Sequence, residues 1–361
     1  MTSQERVNRM FARQDQDRIP RWESFWPEVL DNWMAQGLKA SSRPEAKRVV
    51  YDLMDADLAH CGIYWPHPFP GREKILEETE ETKVVAGPSG TIERKWKAKT
   101  GVPEHIGWEC SSREIWEKEF KPALVNQPIQ IDLDAIRADF IDARKRNKWT
   151  AVFGVETFEA VRLLIGDETF MISVLDDPEW VQDISKVITD NLLRNYQAML
   201  DAGIHPDGLW IYGDMAFKNM MFCSPDCYRE LIWPDHKRIA DFIHANDMKM
   251  IFHTDGDVRK AIPLYIDAGI DCIQPLEAKA SMNLCELAPL YGRQLAFIGN
   301  IDVMVLRTNN MDAIEEEIRA KLTAGKASKG YMYHSDHSVP PDVTWETYQK
   351  VLELVEHYGK Y

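Results

Sequence analysis

Residues 249–280 read KMIFHTDGDVRKAIPLYIDAGIDCIQPLEAKA, and the order of events within them decides the fold. A short apolar run, KMIFH, breaks into a cluster of ionisable residues. An amphipathic stretch follows, stops at Ala268-Gly269-Ile270, and hands over to a second apolar run, DCIQPL. Short β-prone runs separated by glycine-stopped helical patterns are the signature of βα units on a parallel sheet. The unit recurs on both sides, giving strand candidates TAVFGV (150–155), GLWIYG (208–213), KMIFHT (249–254), DCIQPL (271–276), LAFIGN (295–300) and GYMYHS (330–335). The intervening helices carry start signals at Asp177-Pro178 and Ser224-Pro225, a capping side chain followed by a proline at the first helical position. They carry stop signals at Ala202-Gly203-Ile204 and Ala324-Gly325.

Nearer the N-terminus, RIPRWESFW (18–26) and DLAHCGIYW (57–65) supply two further strands, and eight parallel strands close a (β/α)₈ TIM barrel. KVVAGPSGTIERKWKAKT (83–100) reads instead as a β-hairpin around Gly-Pro-Ser-Gly, inserted between the second and third barrel strands and expected to overhang the barrel mouth. A doubly wound nucleotide-binding sheet would announce itself by a glycine-rich strand-to-helix turn, and neither GxGxxG nor GxxxxGK[ST] occurs. No repeat or low-complexity linker marks a boundary, so residues 1–361 are expected to form a single barrel domain.

Composition narrows the function classes. Apolar residues make up 45% and charged residues 28% of the 361, which suits a folded chain with a large core. Lys and Arg number 43 against 58 Asp and Glu, a net charge of −15 that repels nucleic acid and anionic lipid surfaces. No apolar window is long enough for a membrane span, and MTSQERVNRMFARQDQDR lacks the apolar centre of a signal peptide, so a cytoplasmic location is expected. The six cysteines are scattered, as reduced thiols are. Cys223 and Cys227 lack the second pair or nearby histidine of a zinc-site spacing.

Chemistry collects where the strand candidates end. Glu156 follows AVFGV, Asp214 follows LWIYG, and His253, Asp255 and Asp257 stand in IFHTDGD. Glu277 follows CIQPL, Asn300 and Asp302 lie in FIGNID, and His334, Asp336 and His337 lie in YMYHSDHS. In a barrel, that face carries the active site. Each residue also has a plainer reading, since a strand leaving the core must become polar, and Asp or Asn there often caps a helix or makes a turn. That reading weighs most for Glu156, Asp257 and Asn300. His253 and His337 are the stronger functional candidates, because a neutral imidazole beside acids is both a proton shuttle and a common metal ligand. Several carboxylates in one cleft must be compensated by a divalent cation, by protonation of one acid, or by a cationic substrate.

At these residues the sequence resembles the uroporphyrinogen decarboxylase superfamily, which includes cobalamin-dependent methyltransferases. The stretches that carry the resemblance are YGDMAFKNMMFCSPDCYRELIWP, KMIFHTDGDV, AGIDCIQPLEAKASMNL, FIGNID and YHSDHSVPPDVTWETYQ. The resemblance implies one barrel with a deep cleft at its C-terminal face. True decarboxylases carry an N-terminal arginine-rich segment that binds the substrate's propionates. The matching stretch here, RWESFWPEV (21–29), lacks the arginine pair and brings Glu23 instead.

The methyltransferase branch holds zinc through a His-x-Cys motif and a later cysteine. This chain has His253-x-Asp255 and His337 at those places, with Glu277 at a further acidic position. The resemblance therefore implies a methyltransferase acting between a small methylated substrate or thiol and a corrinoid. A metal-free decarboxylase-like lyase and a non-catalytic binding barrel stand as alternatives. It implies catalytic roles for His253, Asp255, His337 and Asp214, with Asp302 orienting a histidine. Glu156, Glu277, Asn300, His334 and Asp336 become substrate contacts, and His253, Asp255, Glu277 and His337 a divalent-metal set, with zinc the expected metal. A corrinoid protein as partner, a homodimer, and no nucleic-acid or membrane partner complete the expectation.

Overall fold

The computed structural model describes residues 1–98 and 103–361, so the last two residues of the hairpin reading, Lys99 and Thr100, lie outside it. In chain order the strands are β1 (Leu58–Tyr64), an inserted group β2 (Lys74–Glu78), β3 (Thr82–Ala86), β4 (Thr91–Trp96) and β5 (Glu104–Trp108), then β6 (Trp149–Val155) and β7 (Gly208–Tyr212). A small hairpin, β8 (Ala216–Phe217) and β9 (Met220–Met221), precedes β10 (Lys249–His253), β11 (Cys272–Gln274), β12 (Ala296–Ile298) and β13 (Tyr331–Met332). The main sheet runs β1-β6-β7-β10-β11-β12-β13, and each of its pairings is parallel. The six strands expected after residue 149 are thus consecutive neighbours, each preceded by a helix.

The ring closes through the N-terminal segment. Tyr333 N–H donates to Pro20 O at 2.8 Å and Trp22 N–H to Tyr333 O at 3.1 Å, while on the other side Asp57 N–H donates to Arg21 O at 2.8 Å. Residues 20–22 are therefore the eighth strand, too irregular to extend over the whole of RIPRWESFW because Pro20 has no N–H to give.

Alternation along the strands sorts the core into two layers. Trp22, Leu58, Trp149, Ala151, Trp210, Ile251, Cys272, Ala296, Ile298 and Met332 fill the barrel, and Val7, Met10 and Phe11 of the Ser3–Phe11 helix plug its base. Val152, Leu209, Ile211, Met250, Phe252, Ile273 and Phe297 face outward under the helices. Each such side chain contributes about 1.5–3 kcal/mol by leaving water. Beside the plug, buried Asp57 accepts from Arg6 and from Arg18 Nη1, the latter at 2.7 Å, and Arg21 pairs with Glu356 at 2.6 Å. Arg6, Arg18 and Arg21 are thereby committed to ion pairs of the framework.

Two expectations need correction. The expected hairpin is present as the antiparallel pair β3–β4, but it is the centre of a larger, four-stranded antiparallel insertion, β2-β3-β4-β5. Val84, Val85 and Ala86 of β3 are buried and gave a strand signal, whereas every residue of β2 is exposed and the strand carries two glutamates among its five residues. This sheet leans on the helix Thr157–Ile165, with Thr91 Oγ1 donating to Leu163 O at 2.7 Å. The helix Met311–Ser328 also runs through Gly325 and ends at Lys329, in the left-handed region at φ 56°. Gly325 is there for packing, because a Cβ would sit 2.3 Å from the Tyr331 ring. Gly269, at φ 96°, does stop its helix as read. Among the described residues, no helix is long and apolar enough to cross a membrane.

Candidate functional site

The C-terminal ends of β7, β10 and β11 stand side by side. In the parallel register His253 is opposite Tyr212 on one flank and Gln274 on the other, so these three side chains form one row on the inner face. His253 stacks on Tyr212 with ring centroids 4.8 Å apart. Below them an aromatic floor is built from Trp22, Phe153 and Trp210, with Trp22–Trp210 at 4.8 Å and Phe153–Trp210 at 4.7 Å.

Two residues beyond each of β7 and β10 stand Asp214 and Asp255. Among the described residues, Asp214, His253 and Asp255 form a group whose metal-capable atoms all lie within 4.8 Å of one another. His253 Nε2 is 3.6 Å from Asp214 Oδ1, which also accepts from Asp255 N–H at 2.9 Å, and Tyr212 OH donates to Asp214 Oδ2 at 3.0 Å. Gly256 makes this close approach feasible. Its φ is 85°, and a Cβ there would lie 2.4 Å from the Ala216 carbonyl. Asp255 Oδ1 is buried without a hydrogen-bond partner, and burial, with Asp214 and Glu277 adding to it, raises the Asp255 carboxyl above its ordinary range.

A cation bonded at about 2.0–2.2 Å to each donor gathers donors to within about 4.4 Å of one another, close to the spacing already present. One imidazole nitrogen and two carboxylates, one with an unused oxygen, fit a divalent metal of the zinc or harder first-row class.

The other sequence candidates have other partners. Glu277 Oε2 accepts from Gly256 N–H at 2.8 Å and Oε1 pairs with Lys279 at 2.8 Å, which keeps this carboxylate outside the three-residue group. His337 is half-buried and lies parallel to Trp26, centroids 5.7 Å apart, also outside the group. Asp302 caps the helix Val303–Leu306 through Met304 N–H at 2.7 Å and holds no histidine. Glu156 caps the helix Thr157–Ile165 and takes His236 Nε2 at 2.7 Å, fully buried. Asn300, buried and at φ 72°, accepts from Leu284 N–H and Lys321 Nζ, each at 2.7 Å. Asp336 joins two loops, accepting from Ala278 N–H at 2.9 Å and Val303 N–H at 3.0 Å, and burial raises its carboxyl to about 7. Asp257 is held by Arg259 at 2.7 Å.

His334 lies behind His253, 4.8 Å from the Trp22 ring and 3.2 Å from Glu23, and burial lowers it to about 3. Glu23 is wholly buried and pushed up to about 8 by burial, although Ser335 Oγ donates to it at 2.8 Å. Tyr212 and Gln274 were not singled out from the sequence. The signal that finds them is the strand period: both share the inward face and the level of His253.

The sequence profile described as Uroporphyrinogen decarboxylase (URO-D) matches residues 158–358, more than half of the chain. The chain belongs to the uroporphyrinogen decarboxylase family. No curated protein matches it in sequence. Among solved structures it is similar to a methyltransferase from Methanosarcina mazei, at 14% identity with a TM-score of 0.66 over 99% of both chains, which supports the family's barrel fold across its whole length. An amidohydrolase from Burkholderia ambifaria with bound Zn, also 14% identical, superposes over 100% of this chain and 89% of its own at a TM-score of only 0.26, and bears no weight.

Proposed function

We propose that this family member is an enzyme that transfers a methyl group between a small methylated substrate, or a thiol, and a corrinoid carried by a partner protein. In this reading Asp214, His253 and Asp255 hold a divalent metal, zinc first among the candidates. The observation that carries it is the unpartnered, buried Asp255 Oδ1 facing a second carboxylate and an imidazole, an arrangement that a cation relieves. When bound, the metal supplies Lewis acidity to the substrate heteroatom that gains or loses the methyl group.

The chain's own residues do the rest. His253 presents Nε2 and is held flat by Tyr212. Trp22, Phe153 and Trp210 close the floor to water. The committed arginines favour methyl transfer over porphyrinogen decarboxylation. Arg6, Arg18 and Arg21 are bound to Asp57, Asp55 and Glu356, so none of these three offers a polycarboxylate a free guanidinium. The proposal is completed by a cytoplasmic setting, one barrel domain over the whole chain, and a homodimer.

Elemental analysis of full-length protein purified without chelator should find close to one equivalent of metal, and added zinc should raise the Tm of metal-depleted protein. Methylated corrinoid with a small thiol should turn over, and uroporphyrinogen should not. No metal and no Tm shift would overturn the metal site. Decarboxylation of uroporphyrinogen would overturn the methyl-transfer reading in favour of a lyase, and binding without turnover would favour a barrel kept for recognition.

A further inference from the structure

A neutral histidine can offer its lone pair from either ring nitrogen, and what selects the nitrogen is the hydrogen bond made by the other. His253 Nδ1 lies 2.5 Å from Gln274 Oε1, and Gln274 Nε2 lies 3.5 Å from His334 Nε2. Gln274 is 4% exposed and His334 1%, so neither arrangement is averaged by water.

An amide can be turned end for end, and here the far end of the chain decides which way it faces. His334 Nδ1 donates to the carbonyl of Ser335, which can only accept, and lies 3.2 Å from Glu23 Oε1. Burial holds His334 neutral at ordinary pH, with the ring lowered to about 3, so its single proton is on Nδ1 and its Nε2 can only accept. The amide must then turn its N–H toward His334 and its oxygen toward His253. That oxygen demands a proton on His253 Nδ1 and leaves the Nε2 lone pair aimed at Asp214, 3.6 Å away.

We propose that His334, acting through Gln274, is a positioning device that fixes His253 as the Nδ1–H tautomer with Nε2 presented to the carboxylates. The link to catalysis rests on the proposed metal site, whereas the tautomer itself does not. Neither Gln274 nor His334 touches the Asp214–His253–Asp255 group except through this chain, so both act on substrate only by way of His253.

The test uses full-length protein with ¹⁵N-labelled histidine at pH 8, together with zinc titration of the same samples. The variants are Gln274→Met, nearly the same shape without the amide; His334→Phe, which keeps a ring against Trp22; and Gln274→Glu, which keeps an oxygen for Nδ1–H. Metal-free wild type should show His253 as the Nδ1–H form. Gln274→Met and His334→Phe should show a tautomer mixture and about 10- to 100-fold weaker zinc binding, and Gln274→Glu should keep the wild-type tautomer. A merely packing role for His334 would leave the His253 signal unmoved in His334→Phe.

An Nε2–H tautomer in wild type, or wild-type signals and zinc affinity in both Gln274→Met and His334→Phe, would overturn the proposal. If wild type binds no zinc, the metal reading fails while the nitrogen signals still decide the chain. If Gln274→Met does not fold, the wild-type spectrum and His334→Phe decide it.

Discussion

The strand ends at β6, β12 and β13 and those at β7 and β10 look alike in sequence: an apolar run stops and an acid or amide follows. Glu156, Asn300 and Asp336 at the first set spend their oxygens on backbone N–H groups of the next loop or helix. Asp214 and Asp255 at the second set face each other and an imidazole, and one Asp255 oxygen has no partner. Polarity at a strand end is therefore weak information about chemistry. What separates the two sets is whether an acceptor is left over: Asp214 takes Asp255 N–H and Tyr212 OH, but Asp255 Oδ1 takes nothing, and a buried acceptor left unused costs about 1–3 kcal/mol and persists in a fold only where something else compensates.

The largest effect should come from breaking the satisfied set. Glu156→Ala would leave two helix N–H groups and the buried His236 ring without their acceptor, and a gap opposite Gly213 where the Glu156 Cγ and carboxylate pack. Urea unfolding should show a loss of about 3–5 kcal/mol with or without metal. Asp255→Asn should do the reverse in metal-free protein, raising the urea midpoint by relieving a desolvated charge beside Asp214. It should also abolish stabilisation by zinc, which for wild type reaches about 2.7 kcal/mol at a hundredfold excess over Kd. Equal losses in the two variants would erase the distinction between the sets.

A smaller, pH-dependent effect belongs to Glu23. Its folded carboxyl, at about 8, stands above the ordinary 4.5 of an unfolded chain, so between those values the native state holds a proton that the unfolded state has released. Stability due to this residue therefore falls as pH rises from about 4.5 to 8. Glu23→Gln removes this titration, and its stability relative to wild type should climb across that window in urea unfolding at pH 5, 6.5 and 8. His334, lowered to about 3, acts oppositely by penalising the native state as pH drops below 6.5, but it is common to both proteins and largely cancels in the difference. A flat difference would mean that the buried Glu23 is ionised.

The barrel was legible because it is written in periods. Apolar runs, glycine stops and capped helix starts recur with each βα unit, and each reports local physics that the tertiary structure left in place. The irregular first strand was found for the same reason, although only residues 20–22 link β1 to β13 and Phe25 makes a separate bridge to Val339. The site was half legible. His253, Asp255 and Asp214 stand out as polar interruptions of apolar runs, but which carboxylate joins the imidazole depends on loop paths that no local pattern encodes. Gly256 and the Ala216–Met221 hairpin bring Asp214 inward, whereas Lys279 and Gly256 N–H engage Glu277. Gln274 escaped notice because a glutamine inside DCIQPL reads as part of a strand, and its significance lies in two histidines distant in sequence.

The finest test of the comparison is Glu277, which stands between the two sets. It is nearly buried and close enough to Asp255 to raise it, as a ligand would be, yet both its oxygens are used, as in the structural acids. Glu277→Gln keeps an oxygen for Gly256 N–H and loses only the pairing with Lys279, whose side chain is 48% exposed and therefore worth little as a partner. Zinc affinity should then stay within a few-fold of wild type, the small change arising from one fewer negative charge near the cation, while Asp214→Asn loses at least the 10- to 100-fold that removal of a mere supporting partner costs. Isothermal titration of both variants gives the ratio directly. A loss in Glu277→Gln as large as in Asp214→Asn would place Glu277 among the ligands, and would mean that Lys279 yields its oxygen when the metal arrives.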